Sequence, residues 1–279
     1  MRANILIIYL IFSSLLVNAQ SKKYFDPKPN DMEFVPQGSF KMQIDSSIKT
    51  ISVDAFWMSN EITNKEYREF TDYAIQHPTD SLLWIDFDKT TNSANIKEHT
   101  RSCTYQQLYS DLIDSLSISK DYPINSDRYN KYKKYFTDKS FDNYPVVGVS
   151  QKGARFYCIW RTKMENLALE KKNNPYIQEY RLPLELEWCY VADYCKDSEI
   201  KASNEIQVSK YGKANNLGLF NVFGNVSEWT ASKDSQKGIV KGSSWKDTKI
   251  ENPRLLVDID TKSSYIGFRI VRSYLGNKK

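Results

Sequence analysis

Histidine is the scarcest reactive residue in this 279-residue chain, with only His77 and His99 present. They lie far apart and in neither an HxxxH nor an HxxE spacing, and no CxxC occurs, so the usual donor sets for an iron or zinc site are missing. Long apolar runs are scarce too. The one at Ile5 to Val17 is shorter than the roughly 20 residues a membrane-spanning helix needs, and nothing comparable follows. Preceded by Met1-Arg2 and followed by Val17-Asn18-Ala19, it has the pattern of a secretory signal peptide covering 1–19. With no cysteine near that cleavage point, export as a lipidated protein has no support. A dominant charge sign is also lacking: 39 Lys and Arg against 34 Asp and Glu are spread along the chain, so nothing points to nucleic acid. The densest basic cluster, Arg128, Lys131, Lys133 and Lys134 among Tyr129, Tyr132 and Tyr135, reads as a solvated face.

What is present suffices for one packed domain, since the ~260 residues left after cleavage are rich in apolar and aromatic side chains. Four cysteines, Cys103, Cys158, Cys189 and Cys195, allow three full pairings among which the sequence does not choose. On one continuous helix Cys189 and Cys195 would be ~9 Å apart, too far to bridge, so they pair only if the helix ends between them. Phe34 to Met42 and Ile51 to Met58 alternate like half-buried strands, with turns at Gly38 and Asp45 to Ser47. Thr63 to Glu66 is a capping box opening a helix with Tyr67, Phe70, Tyr73 and Ala74 at helical spacing.

From 78 to 140 the pattern loosens, only Tyr105 to Leu116 suggests a short helix, and the segment reads as a surface insertion. Tyr144 to Val149 predicts a short strand, after which Ser150 caps a helix to about Lys163 with Ala154, Tyr157, Cys158 and Arg161 on one stripe. A further helix is expected to start at Pro183 and turn Leu186, Cys189, Tyr190 and Ala192 inward. The organisation is then a signal peptide at 1–19, a linker at 20–33, a domain at 34–274 and a tail at 275–279.

Several short motifs occur in a fixed order: FVPQGSF at Phe34 to Phe40, EITN at Glu61 to Asn64, YPVVGVS at Tyr144 to Ser150, Arg181-Leu182-Pro183 with Glu185, Glu187 and Trp188, GLFNVFGNVSEW at Gly218 to Trp229, KGSSW at Lys241 to Trp245, and Gly267-Phe268-Arg269. Together they resemble the formylglycine-generating-enzyme (sulfatase-modifying factor) family along the whole mature chain except the insertion. The resemblance implies an α+β fold of the C-type-lectin-like kind, low in regular secondary structure and rich in long loops. It also implies a calcium loop in which Asn221 and Glu228 donate side-chain oxygens and Gly224 and Val226 donate carbonyls, a set suited to a cation that takes several oxygens at once.

Active members of that family hold copper on two cysteines between the KGSSW-like and GFR motifs, where soft thiolates suit Cu(I). Here Lys246 to Ile266 contains no cysteine. Other members use histidine-held iron in a separate domain that is absent here, so neither copper nor iron is expected. The frame has drifted as well, with Gln151 where Trp is usual, Leu184 for a capping Thr and Ser227 for an aromatic. Glu185, Glu187, Glu228 and Arg269 read as structural ion-pair and hydrogen-bond partners. The insertion, ending in FDNYPVVGV, and Cys158 to Thr162 also resemble the domain in gliding-motility and type IX secretion lipoproteins of Bacteroidota. The expectation is an exported, catalytically inactive binding or assembly module with protein partners in the periplasm or at the outer membrane. The alternative is an oxidoreductase of the same family with a non-standard active site.

Overall fold

The computed structural model describes residues 27–44, 46–88, 97–194, 203–247 and 253–276. The expected signal peptide at 1–19, half of the linker and Cys195 lie outside them. Each of the two alternating runs near the start becomes two strands, the first parting at Pro36-Gln37, where Pro36 cannot donate to a ladder, and the second at Asp54-Ala55 opposite it. They are β1 (Met32–Val35) and β2 (Gly38–Ile44), then β3 (Ser47–Val53) and β4 (Phe56–Ser59). β2 and β3 form a hairpin with Gly38 opposite Val53, whereas β1 pairs with β4. Helix α1 (Asn64–Gln76) opens on the predicted capping box: Thr63 Oγ1 accepts the Glu66 N–H at 3.3 Å and Glu66 Oε2 accepts the Thr63 N–H at 2.8 Å. Its Tyr67, Phe70 and Ala74 are buried.

The insertion is more ordered, and deeper, than its loose pattern implies. It forms a hairpin of β5 (Ser81–Asp88) and β6 (Lys97–Thr104), then α2 (Tyr105–Leu112) and α3 (Asp127–Tyr132). Leu82, Tyr105, Leu108, Leu112, Ile118, Tyr132, Tyr135 and Phe136 are all buried. They are too dispersed among Asp, Ser and Lys to show a period, yet each reaches the core. Tyr105, for example, meets Phe70 edge-on at 6.5 Å. The strand expected at Tyr144 to Val149 does not form. That run threads between other segments, its Val146 N–H going to Ile62 and its Gly148 N–H to Ser263, both at 2.8 Å. Burial on all sides, which the apolar composition reported, does not require a sheet.

Ser150 caps α4 (Gln151–Glu170), which runs well past Lys163 and buries Ala154, Tyr157 and Cys158. After β7 (Tyr180–Arg181) comes α5 (Glu185–Tyr194). Leu184 has no side-chain oxygen to cap it, but Glu187 Oε2 accepts the Leu184 N–H at 2.8 Å and keeps half of a capping box. Cys189, Tyr190 and Ala192 turn inward as predicted, while Leu186 is 37% exposed. The remaining strands are β8 (Ser227–Asp234), β9 (Lys237–Lys241), β10 (Arg254–Asp258), β11 (Ile266–Gly267) and β12 (Val271–Ser273).

Two four-stranded sheets result, ordered β1-β4-β12-β7 and β10-β9-β8-β11, with the β8/β11 pair parallel. The fold is α+β as expected, and many of its strands are two to four residues long, below what periodicity reveals. Cys103, Cys158 and Cys189 are free, so none of the three full pairings holds. One aromatic cluster joins α1 to α4, where Tyr67 stacks on Tyr157 at 5.7 Å. Another unites the insertion with the C-terminal half through Ile118, Tyr132, Tyr135, Val147, Val226 and Trp245.

Gly148 fixes that junction. Its φ is +75°, Asp114 N–H donates to its carbonyl at 2.8 Å, and an added Cβ would stand 2.3 Å from the Asp114 carbonyl oxygen. Gly148→Ala should destabilise the protein by about 3 kcal/mol in urea denaturation, combining left-handed strain with a backbone clash.

Candidate functional site

Glu228, at the start of β8, sits at the centre of the most conspicuous polar cluster. It and Arg269 are both fully buried. Arg269 donates Nε to Glu228 Oε2 at 2.7 Å and Nη2 to Oε1 at 2.6 Å, a bidentate pair that also takes the indole N–H of Trp188 at 2.7 Å. Two further guanidinium hydrogens reach the Ser59 and Phe220 carbonyls at 3.1 and 3.2 Å. Thus Glu228 and Arg269 hold the fold, as the sequence suggested. Glu185 and Glu187 are likewise paired, with Arg254 at 2.8 Å and Arg181 at 2.6 Å.

A second carboxylate lies beside the first. Glu61, between β4 and α1, is 2% exposed, and its Oε2 accepts from Asn221 Nδ2 and Asn225 Nδ2, both at 3.0 Å. Its Oε1 is buried without a hydrogen-bond partner. Burial, reinforced by repulsion from Glu228, pushes the Glu61 carboxyl up to about 8, against the pull of Arg269 and the two amides. Sequence reasoning placed Glu61 in a motif without assigning it to the site. A lone glutamate gives no sign that the chain will bury it; the only hint was its place directly before Ile62 and the capping box.

The four expected calcium donors do not make a calcium cage in this arrangement. Glu228 spends both oxygens on Arg269 and Trp188. Asn221 turns its NH2 group, not its oxygen, inward, since the Val208 and Ser209 carbonyls at 3.3 and 2.9 Å can only accept. The Gly224 carbonyl accepts the Val226 N–H at 2.9 Å. Ca²⁺ takes 6–8 oxygens, and here the charge balance of Glu228 is already met by a guanidinium. Among the described residues no three His, Cys, Asp or Glu side chains gather as a metal site.

Around Lys246 to Ile266, Ser227 Oγ donates to the Gly242 carbonyl at 2.8 Å and Gln151 Nε2 to the Thr230 carbonyl at 2.7 Å. Trp245 and Tyr265, flanking the stretch, lie in the cluster with Ile118, Tyr122 and Tyr132 of the insertion. Lys246 pairs with Asp121 at 2.5 Å and lies over both flanking rings. The thiols elsewhere are poor soft-metal ligands: burial pushes Cys158 up to about 12, and burial also raises Cys189, opposed by nearby Lys241.

The sulfatase-modifying factor enzyme 1-like domain, as a family model, matches residues 18–274. The chain belongs to this family. Similar proteins include "Inactive C-alpha-formylglycine-generating enzyme 2" of Bos taurus, 25% identical over 86% of this chain and 87% of the relative. The mouse protein of the same name is 29% identical over 46% of this chain and 49% of its own length. Among solved structures, CarF aligns with a TM-score of 0.51 at 17% identity, over 89% of this chain and all of that one. PvdO from Pseudomonas aeruginosa aligns with a TM-score of 0.50 at 15% identity, over 90% of this chain and 97% of its own. At those identities the structures speak for the shared fold. This member of the family has a buried cluster of Glu228, Trp188 and Arg269 and no cysteine between Lys246 and Ile266.

Two outcomes follow from the buried charges. Arg269→Met strands an unpaired buried carboxylate and should cost about 3–5 kcal/mol in urea denaturation. Glu61 carries more proton in the folded than in the unfolded state, because its folded value of about 8 lies above 4.5. Its contribution to stability is complete below pH 4.5 and is lost as pH rises through 8. Melting temperatures of the wild type should decline over this window relative to Glu61→Gln, which keeps an acceptor for Asn221 and Asn225.

Proposed function

We propose that this protein is an exported, non-catalytic member of the sulfatase-modifying factor family that works as a binding or assembly module for a protein partner at the cell envelope. The observation that carries the reading is what occupies the flanks of Lys246 to Ile266: no thiol, and an aromatic cluster built jointly with the insertion around Trp245 and Tyr265. Two relatives named inactive support the same reading. Export rests on the pattern of residues 1–19. The insertion also presents apolar side chains outward, with Leu83 66% and Ile124 76% exposed, the composition of a contact surface. The likeness of its end and of Cys158 to Thr162 to gliding-motility members makes an outer-membrane or periplasmic assembly the place to look for the partner. Among the described residues no helix is long and apolar enough to cross a membrane.

Purified protein should take up no Cu(I) by metal analysis and should leave a cysteine-containing peptide unoxidised by mass spectrometry, and its melting temperature should be the same in EDTA and in Ca²⁺. Stoichiometric copper with conversion of the peptide would overturn the reading.

A further inference from the structure

The β5/β6 hairpin is a sheet of two strands, so among the described residues no third strand covers the outer edge of β5. The start of the ladder tells which backbone groups lie on that edge. The Thr104 N–H turns back to Gln107 Oε1 at 2.8 Å and the Tyr105 N–H reaches the Asp80 carbonyl at 3.0 Å, so Ser81 and Thr104 face each other without mutual hydrogen bonds. Antiparallel pairs alternate, which gives the ladder bonds to Leu82 and Trp84 and points the N–H and C=O of Ser81, Leu83 and Ile85 away from β6. The Ser81 carbonyl accepts from Lys163 Nζ at 3.2 Å, whereas Leu83 and Ile85 make no backbone bond outside the hairpin among the described residues. Edge strands are usually guarded by lysine, proline or a bulge. From Ser81 to Ile85 there is none, and Leu83 and Ile85 are exposed.

A cleft of about 250 Å³ runs along this edge. Its lining takes in the consecutive residues Ser81 to Trp84, from both faces of the strand, and no residue of β6, a set that meets only at the edge away from β6. The opposite wall is Ile159 and Thr162 of α4 with Glu179 and Tyr180. Trp84 packs edge-on against Phe156 of α4 at 5.4 Å, so the inward face of the strand looks toward that helix. The volume is below the roughly 300–1,000 Å³ of small-molecule sites and suits a side chain. Of the two charged lining residues, Lys163 is engaged by the Ser81 carbonyl and the Tyr73 and Tyr105 rings. Glu179 is exposed and has no ion-pair partner among the described residues.

We propose that β5 takes up an extended segment of a partner protein as an added strand, with one apolar side chain in the cleft and a Lys or Arg facing Glu179. The main chain of the segment bonds Leu83 and Ile85, and its residue opposite Trp84 turns inward toward Ile159. Main-chain bonds then supply affinity and the cleft supplies selectivity. A second copy pairing through its own β5 would bring its α4 to the same side of the sheet, into a space that holds only side chains. The proposal rests on the reading of this protein as a binding module for a protein partner, and it names the surface and the kind of segment bound.

The test selects a displayed library of random seven-residue peptides on the purified protein and measures a recovered sequence, synthesised with a fluorophore, by anisotropy. Recovered peptides should share an apolar residue and a Lys or Arg. N-methylation of every second amide, the set facing β5, should weaken binding by about tenfold or more, and methylation of the intervening amides should change it little. Leu83→Pro removes the outward N–H without touching a ladder bond and should cost a similar factor, with a melting curve showing the variant folded. Leu83→Thr, which keeps the edge, should bind as the wild type does. No recovered binder, equal response to the two methylated sets, unchanged affinity in Leu83→Pro, or a larger loss in Leu83→Thr than in Leu83→Pro would each overturn the proposal. So would a dimer in size-exclusion chromatography that Leu83→Pro converts to a monomer, since the occupant would then be a second copy. Copper uptake with peptide oxidation would strike the non-catalytic reading and leave these readouts where they are, so the two fail separately.

Discussion

At the middle of this molecule a carboxylate and a guanidinium, both fully buried, are held in a bidentate pair. Neither tolerates burial alone, since desolvating an isolated charge costs more than a domain's net stability margin. The chain therefore has to deliver Glu228 and Arg269 to one point together, and the delivery fixes much else. Glu228 begins β8, Arg269 lies between β11 and β12, Trp188 comes from α5, and Ser59 ends β4, so four segments distant in sequence meet at one ion pair. Both four-stranded sheets touch this point. The short strands around it need little propensity of their own, because tertiary placement decides their path.

The same pair explains why the neighbouring acid is held neutral. Arg269 has one positive charge to share, and Glu228 has it at bonding distance. Glu61, a little further out, receives amide hydrogens and one bare edge. Two carboxylates and one guanidinium in a dry interior are most stable with one proton added, and burial with repulsion puts that proton on Glu61.

Legibility in the sequence followed how local each cause was. The capping box at Thr63 and the Ser150 cap were readable because four adjacent residues make the whole interaction. The split of the first strands was missed because Pro36 acts on a pattern that otherwise alternates well. Tyr144 to Val149 was misread because an apolar run reports burial and not sheet pairing. The insertion was underrated for a related reason: its buried tyrosines and leucines serve a surface elsewhere in the chain, and no period within the segment records that. The ordered motifs located the Glu228 cluster, but the shared donor set they implied was already divided between Arg269 and Trp188. Nothing in the sequence disclosed the unpartnered edge of Glu61, because it depends on which side of a buried glutamate two asparagines happen to approach.

Lys246 over Trp245 and Tyr265, tied to Asp121, joins the insertion to the segment between the last two motifs. Together with the Gly148 contact to Asp114, this makes the insertion a structural member of the domain and not an appendage. The surface it offers can change at Leu83 or Ile124 without touching the core, but its root cannot be altered without the residues beneath it. In a genetic screen, lesions at the root would register as loss of protein abundance, whereas lesions at the exposed tips would leave abundance unchanged.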